Sequence, residues 1–210
     1  MKHPWHHIPI GDYEGHMALS SVGQAALLGE LLRQTVGRHR PRSLALLGAA
    51  GGNGLSEVDP TLVSRVVAVD FQPDYLAQCT QRHAARFSVF EPLLHDLASG
   101  PPPMEAVDCV FAGLILEYLP VDVFTGYTAQ LVVPGGVIAV VLQLPSGTSP
   151  PVTPSPFAAS LSRLETAFSF VPPARLRQGL TTAGFCPIHV HRCELPSGKA
   201  FHYEVMVRVG

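Results

Sequence analysis

The sequence predicts an α/β fold: a doubly wound, mainly parallel sheet that closes with a C-terminal antiparallel hairpin. Three observations predict it. Short continuous apolar runs at 44–47, 66–69, 107–111 and 137–142 read as strands buried on both faces. Helical candidates at 74–86 and 121–131 separate them, and alternation of strand with helix is how crossover connections in a parallel sheet read. Two closing segments, 186–193 and 200–209, flank the turn Leu195-Pro196-Ser197-Gly198-Lys199, as in a hairpin.

Taken in order, the first element is an amphipathic helix over 17–36, where Leu19, Val22, Ala26, Leu27, Leu31, Leu32 and Val36 recur near a helical period. The strand at 44–47 follows Pro41 and runs into a glycine cluster with a short helix candidate behind it. A shorter strand is expected at 88–94. The segment 145–156, PSGTSPPVTPSP, carries five prolines and no periodicity, so it is expected to be an extended loop. It follows the C-terminal end of a strand, where lids belong. Helices are expected at 157–168 and at 173–183, the latter ending at Gly184. The organisation expected is a single domain over 17–210 with a proline-rich lid loop at 145–156, preceded by an N-terminal segment, 1–16, that covers the cleft. There is no internal repeat.

Composition narrows the function classes. A chain of 210 residues with 47% hydrophobic and 14% charged side chains is long enough for one sizeable core and short for two domains. A net charge of −2 and a pI near 6.5 offer little attraction to polyanions, so a small-molecule substrate is expected and nucleic acid is not. The basic cluster Arg33, Arg38, Arg40 and Arg42 follows a helix, where cations offset the negative end of the dipole. Cys79, Cys109, Cys186 and Cys193 show no Cys-x-x-Cys pairing, as in a reduced cytoplasmic protein. The greasiest stretch, 131–145, is interrupted by Pro134, Gly135 and Gly136 and falls short of a membrane span. His189 and His191 alternate with Cys193 on one strand face, and His3, His6 and His7 cluster near the start. Neither set has the four well-spaced ligands of a structural zinc, so no metal is expected, and the N-terminal histidines read as a disordered tail. The sequence leaves the oligomeric state open.

The chemistry-bearing constellation is Leu46-Leu47-Gly48-Ala49-Ala50-Gly51-Gly52-Asn53-Gly54-Leu55, a turn of small residues between a buried strand and the helix candidate. Small residues there let the backbone turn tightly and admit a ligand against its amides. Asp70 closes the next strand, Val66-Val67-Ala68-Val69-Asp70. In a right-handed strand-helix-strand unit its carboxylate comes beside the glycine turn and can accept hydrogen bonds from both hydroxyls of a ribose. Strand, turn and acid together point to a nucleoside cofactor.

On these residues the chain resembles the class I, Rossmann-type S-adenosylmethionine-dependent methyltransferases. Leu47 to Gly52 is similar to that family's first motif, with Gly48, Ala50 and Gly52 in the small-residue positions. Val67 to Asp70 with Phe71-Gln72-Pro73 resembles its second strand and ribose-binding acid, His95-Asp96-Leu97 its adenine-facing segment, 107–119 its fourth strand, and Leu131-Val132-Val133-Pro134-Gly135-Gly136-Val137 the entry to its fifth. The closing hairpin resembles the reversed strand pair that separates methyltransferases from dehydrogenases. The resemblance implies S-adenosylmethionine as cofactor, bound by Gly48, Ala49, Ala50, Gly52, Asn53, Asp70, Phe71, His95, Asp96, Leu97, Ala112 and Gly113. In one departure, Leu46 stands where the family usually has an acid.

Methyl transfer requires mainly that a nucleophile be aligned behind an activated carbon. Where a base is useful, Glu117, Tyr118 and His95 are the candidates at the C-terminal edge of the sheet. Tyr13 and His16, just before the leading helix, are expected to help close the site. A cofactor-binding regulator without turnover is the alternative reading. A nicotinamide oxidoreductase is a weaker one, because the glycine spacing is not Gly-x-Gly-x-x-Gly.

Overall fold

Each apolar run becomes a strand: β1 (Ser43–Leu47), β2 (Arg65–Asp70), β3 (Val89–Leu94), β4 (Val107–Gly113) and β5 (Val132–Gln143), then β6 (Phe185–Glu194) and β7 (Ala200–Arg208). The computed structural model describes residues 3–146 and 152–210, so residues 147–151 of the expected lid loop lie outside the described residues. The strands form one seven-stranded sheet in the order β3-β2-β1-β4-β5-β7-β6. β1 to β5 run parallel, while β7 pairs antiparallel with β5 and β6 antiparallel with β7.

Helices cover both faces, which is why the strands read as continuous apolar runs rather than alternating ones. Leu44 and Leu46 of β1 pack with Leu28 and Leu32 of α2 (Gln24–His39) and with Leu76 and Cys79 of α3 (Pro73–His83). Ala45 and Leu47, pointing the other way, pack with Phe124 and Leu131 of α4 (Val121–Leu131) and with Leu176 and Leu180 of α6 (Pro173–Thr182). Burial pushes the Cys79 and Cys109 thiols up to about 12, and such thiols are inert at neutral pH.

The expected helix over 17–36 is two helices, α1 (Ile10–Ala18) and α2. The break falls at Ser20-Ser21-Val22-Gly23, where Gly23 takes φ 68° and starts α2. Val22 is fully buried in that turn, so the apolar period continues across a gap in the helix. The helix candidate after the glycine turn is only a 3-10 turn, Leu55–Glu57. The expected 157–168 helix divides into α5 (Ala158–Leu161) and a 3-10 turn, Ser162–Thr166.

One buried hydrogen bond fastens α2 to the closing hairpin: Thr35 Oγ1 lies 2.8 Å from Tyr203 Oη and donates to the Leu31 carbonyl at 2.7 Å. The Tyr203 hydroxyl is therefore the donor across the α2–β7 contact. Thr35→Val leaves that hydroxyl buried without an acceptor and is expected to cost about 1–2 kcal/mol in urea unfolding; an unchanged midpoint would show that the bond carries no weight. Among the described residues no helix is long and apolar enough to cross a membrane, and no group of three or more His, Cys, Asp or Glu side chains is placed to hold a metal ion.

Candidate active site

The parallel strands end along one edge, and the strand order reverses between β1 and β4; ligands of open α/β sheets bind at such a crevice. Here β1 runs into Gly48, whose N–H and that of Ala49 both donate to the Val69 carbonyl at 2.9 Å. The turn is thereby fixed to the end of β2. Gly48 takes φ 69° and Ala50 φ 45°, left-handed conformations that a larger side chain adopts at a cost. A Cβ on Gly48 would stand 2.7 Å from Ile115 Cδ1.

Asp70 lies beneath this turn, 7% exposed. Its Oδ2 accepts from Ala50 N–H and its Oδ1 from Gln72 N–H, both at 2.9 Å. Burial raises its pKa, against the lowering effect of N–H groups from Gln72, Ala50 and Phe71. Each carboxylate oxygen can accept a second hydrogen bond, so the carboxylate is oriented by the backbone and keeps capacity for a ligand.

A cavity of about 150 Å³ opens over Asp70. Of the residues expected to bind cofactor, Gly48, Ala50, Asp70, Phe71, His95, Asp96, Leu97 and Gly113 line it, as do Tyr13 and Tyr118. Ala49 and Ala112 are fully buried behind the wall. A Cβ on Gly52 would collide with the His83 ring, so this glycine permits close packing against α3. Asn53 also lies outside the lining and donates from Nδ2 to Tyr13 Oη at 2.6 Å. His95 lines the cavity with its Nε2 3.0 Å from the Gly100 carbonyl, a partner that assigns the ring proton to Nε2. Glu117 and His16 do not reach this cavity; both line a second, smaller one.

The N-terminal histidines are not a free tail, correcting the sequence reading. Residues Pro4–His7 form a 3-10 turn capped by the His3 side chain, and His3, Trp5 and His6 line the cavity. The His6 ring meets Phe71 edge-on at 4.7 Å, and Trp5 meets Tyr118 at 5.2 Å and Tyr13 at 5.4 Å. Gln72 Nε2 donates to the Trp5 carbonyl, and Tyr75 Oη donates to the Ile8 carbonyl at 2.8 Å. Glu14 pairs with Arg82 of α3. Pro4, set to begin a helical turn, and the lone tryptophan beside it were the available local signals; the contacts themselves are long-range. Leu114, at the exit of β4, also lines the cavity in a left-handed conformation, φ 56°, a strain of the kind that clusters at functional sites.

The doubly wound sheet with its reversed closing pair is the Rossmann-like methyltransferase fold, and the glycine turn clasped to Asp70 stands at the switch point where open α/β sheets bind ligands. Residues 46–140 match the family described as a methyltransferase domain. No curated protein matches. Among solved structures, the N-methyltransferase NodS from Bradyrhizobium japonicum WM9, in complex with S-adenosyl-L-homocysteine, aligns at TM-score 0.65 and 13% identity, over 93% of this chain and 95% of that one. The Burkholderia thailandensis 1,6-didemethyltoxoflavin-N1-methyltransferase, with 1,6-didemethyltoxoflavin and S-adenosylhomocysteine bound, aligns at 0.63 and 17% identity, over 95% and 84%. The [4+2]-cyclase SpnF aligns at 0.62 and 15% identity, over 85% and 81%. At these identities the similarity is one of fold.

Proposed function

We infer that this chain transfers the methyl group of S-adenosylmethionine to a small-molecule acceptor, with the cofactor held in the cavity over Asp70. The observation that carries this reading is the Asp70 carboxylate, which is buried, oriented by two backbone N–H groups and open to a ligand on one side. It fits a ribose, whose two hydroxyls would satisfy the remaining lone pairs and offset the cost of burying the charge. Asp96 and Leu97, with His95, form the wall suited to adenine, and the Gly48 turn allows backbone approach by the amino-acid portion, whereas a Cβ on Gly113 would meet Leu28 and Phe111 in the core. Leu46 is 2% exposed and packs in the core, so no side-chain charge at that position counters the cofactor's ammonium group, which is left to backbone carbonyls, water or another acid.

When bound, the cofactor supplies a methyl carbon already activated on a sulfonium. The protein's share is alignment and exclusion of water. Trp5, Tyr13 and Tyr118 close over the cavity, and residues 1–16 act as its cover on the single domain 17–210. The low net charge and reduced cysteines suit a cytoplasmic enzyme.

Tyr13→Ala removes both an aromatic wall and the bond from Asn53. It is expected to weaken S-adenosylhomocysteine binding about tenfold by calorimetry; unchanged affinity would remove Tyr13 from the cover. The reading as a whole is tested by thermal shift. Stabilisation by S-adenosylhomocysteine and not by NADH supports it, and the reverse pattern overturns it. Leu46, standing where an acid would fix the cofactor's ammonium group, favours, as a second reading, cofactor binding without turnover. Release of S-adenosylhomocysteine from S-adenosylmethionine in the presence of a cell extract separates the two, since a binder without turnover releases none.

A further inference from the structure

A second cavity, of about 60 Å³, adjoins the first and shares Trp5, Tyr13, Leu114 and Tyr118 with it. Its roof is a small core in which Ile8 packs with Leu161 and Leu164, joined by Phe157 and Val152. Polar links hold the roof together: His16 Nδ1 lies 2.9 Å from Ser155 Oγ, and Ser160 Oγ donates to Asp12. The N-terminal segment and the insert after β5 thus close one chamber beside the cofactor cavity.

Within this chamber Glu117 is 1% exposed. Its Oε1 accepts from Gln143 N–H at 2.6 Å, while its Oε2 is buried with no hydrogen-bond partner. In its ionised form the carboxyl is an acceptor only, so what Oε2 then lacks is a donor. Trp5 and Phe168 present rings to Tyr118 at 5.2 and 5.7 Å, giving aromatic walls suited to a flat ring or to a cation over a π-face. Lys199, whose charge reaches His16, is absent from the chamber lining.

We propose that this second cavity is the methyl-acceptor pocket and that it takes a small aromatic or ring-bearing amine, whose N–H is received by Glu117 Oε2. This deepens the methyltransferase reading and rests on it. Carboxylate or phenolate acceptors are disfavoured, since they would place like charge against Glu117. On transfer, the acceptor nitrogen forms a bond to the methyl carbon as that carbon's bond to sulfur breaks. The positive charge on sulfur is lost, and the nitrogen's surplus proton passes to Glu117 and on to solvent.

The test uses the full chain saturated with S-adenosylhomocysteine, titrated calorimetrically with benzylamine, imidazole and benzoate. The expected result is that at least one of the two nitrogen ligands binds and benzoate is at least tenfold weaker. In Glu117→Gln, which keeps an acceptor for Gln143 N–H, that preference is expected to fall at least tenfold with S-adenosylhomocysteine affinity retained. A variant that keeps the preference, a wild type that prefers benzoate, or binding of none of the three alongside normal S-adenosylhomocysteine binding would overturn the proposal. The wild-type preference is a readout independent of the variant's folding. Absence of S-adenosylhomocysteine binding to the wild type would instead overturn the cofactor assignment beneath it.

Discussion

Asp70→Asn is expected to weaken S-adenosylhomocysteine binding by about a hundredfold. The carboxylate oxygens are held by Ala50 and Gln72 N–H groups, and two charge-assisted bonds to ribose hydroxyls would complete the site. Hydrogen bonds to a charged group contribute about 1.5–3 kcal/mol each, and 1.4 kcal/mol is tenfold in affinity. Asparagine keeps the shape but turns an NH₂ toward one of the two backbone donors. Removing that match is expected to lower stability by about 1–2 kcal/mol as well. Calorimetry below the variant's melting temperature separates the two effects. A Kd within threefold of wild type would show that the acid does not hold the cofactor.

The second large effect is on stability against pH. Burial pushes the Glu117 carboxyl from 4.5 up to about 7, with the Gln143 N–H opposing. A raised folded-state pKa means that the folded protein holds the proton more tightly than the unfolded chain. The stabilisation is fully present below about 4.5 and is lost as pH rises through about 7. The shift corresponds to on the order of 3 kcal/mol. Several histidines act in the opposite sense: burial lowers His3, His16, His39, His83 and His189. The difference between wild type and Glu117→Gln isolates Glu117, because those histidines are common to both. Urea unfolding at pH 5 and pH 7.5, an interval that covers most but not all of the shift, is expected to show the wild type losing about 2 kcal/mol relative to the variant. Parallel stabilities would mean that Glu117 is not buried as a strained carboxyl. An amine bound at Oε2 would favour the ionised form and shrink this difference, linking the stability experiment to the acceptor pocket.

Much of the scaffold is legible because its strands are buried on both faces. Runs such as Leu44-Ala45-Leu46-Leu47 carry no polar residue to confuse their reading, and the following Gly48 and the acid at Asp70 report the switch point. Local signals failed where the structure is decided by contacts distant in sequence. Val22 kept the helical period intact through a turn because its burial comes from the core and not from a continuous helix. The histidines at the start read as a tail because nothing local shows Phe71 waiting for His6, or Gln72 and Tyr75 for the backbone of Trp5 and Ile8. Glu117 was legible as a polar residue at the sheet edge, but its unpaired oxygen was not, since the second cavity is assembled from α1, the β4 and β5 exits and the 152–168 insert. Gly52, in a motif position, turned out to face His83, which shows that a glycine's place in a motif does not say what approaches it.

The most direct test of the central claim is a crystal structure of the protein with S-adenosylhomocysteine. The account predicts ribose hydroxyls on Asp70, adenine beside Asp96 and Leu97, and sulfur directed toward Tyr118 and the chamber that holds Glu117. Density for the ligand in any other cavity, or a ribose without contact to Asp70, would contradict it.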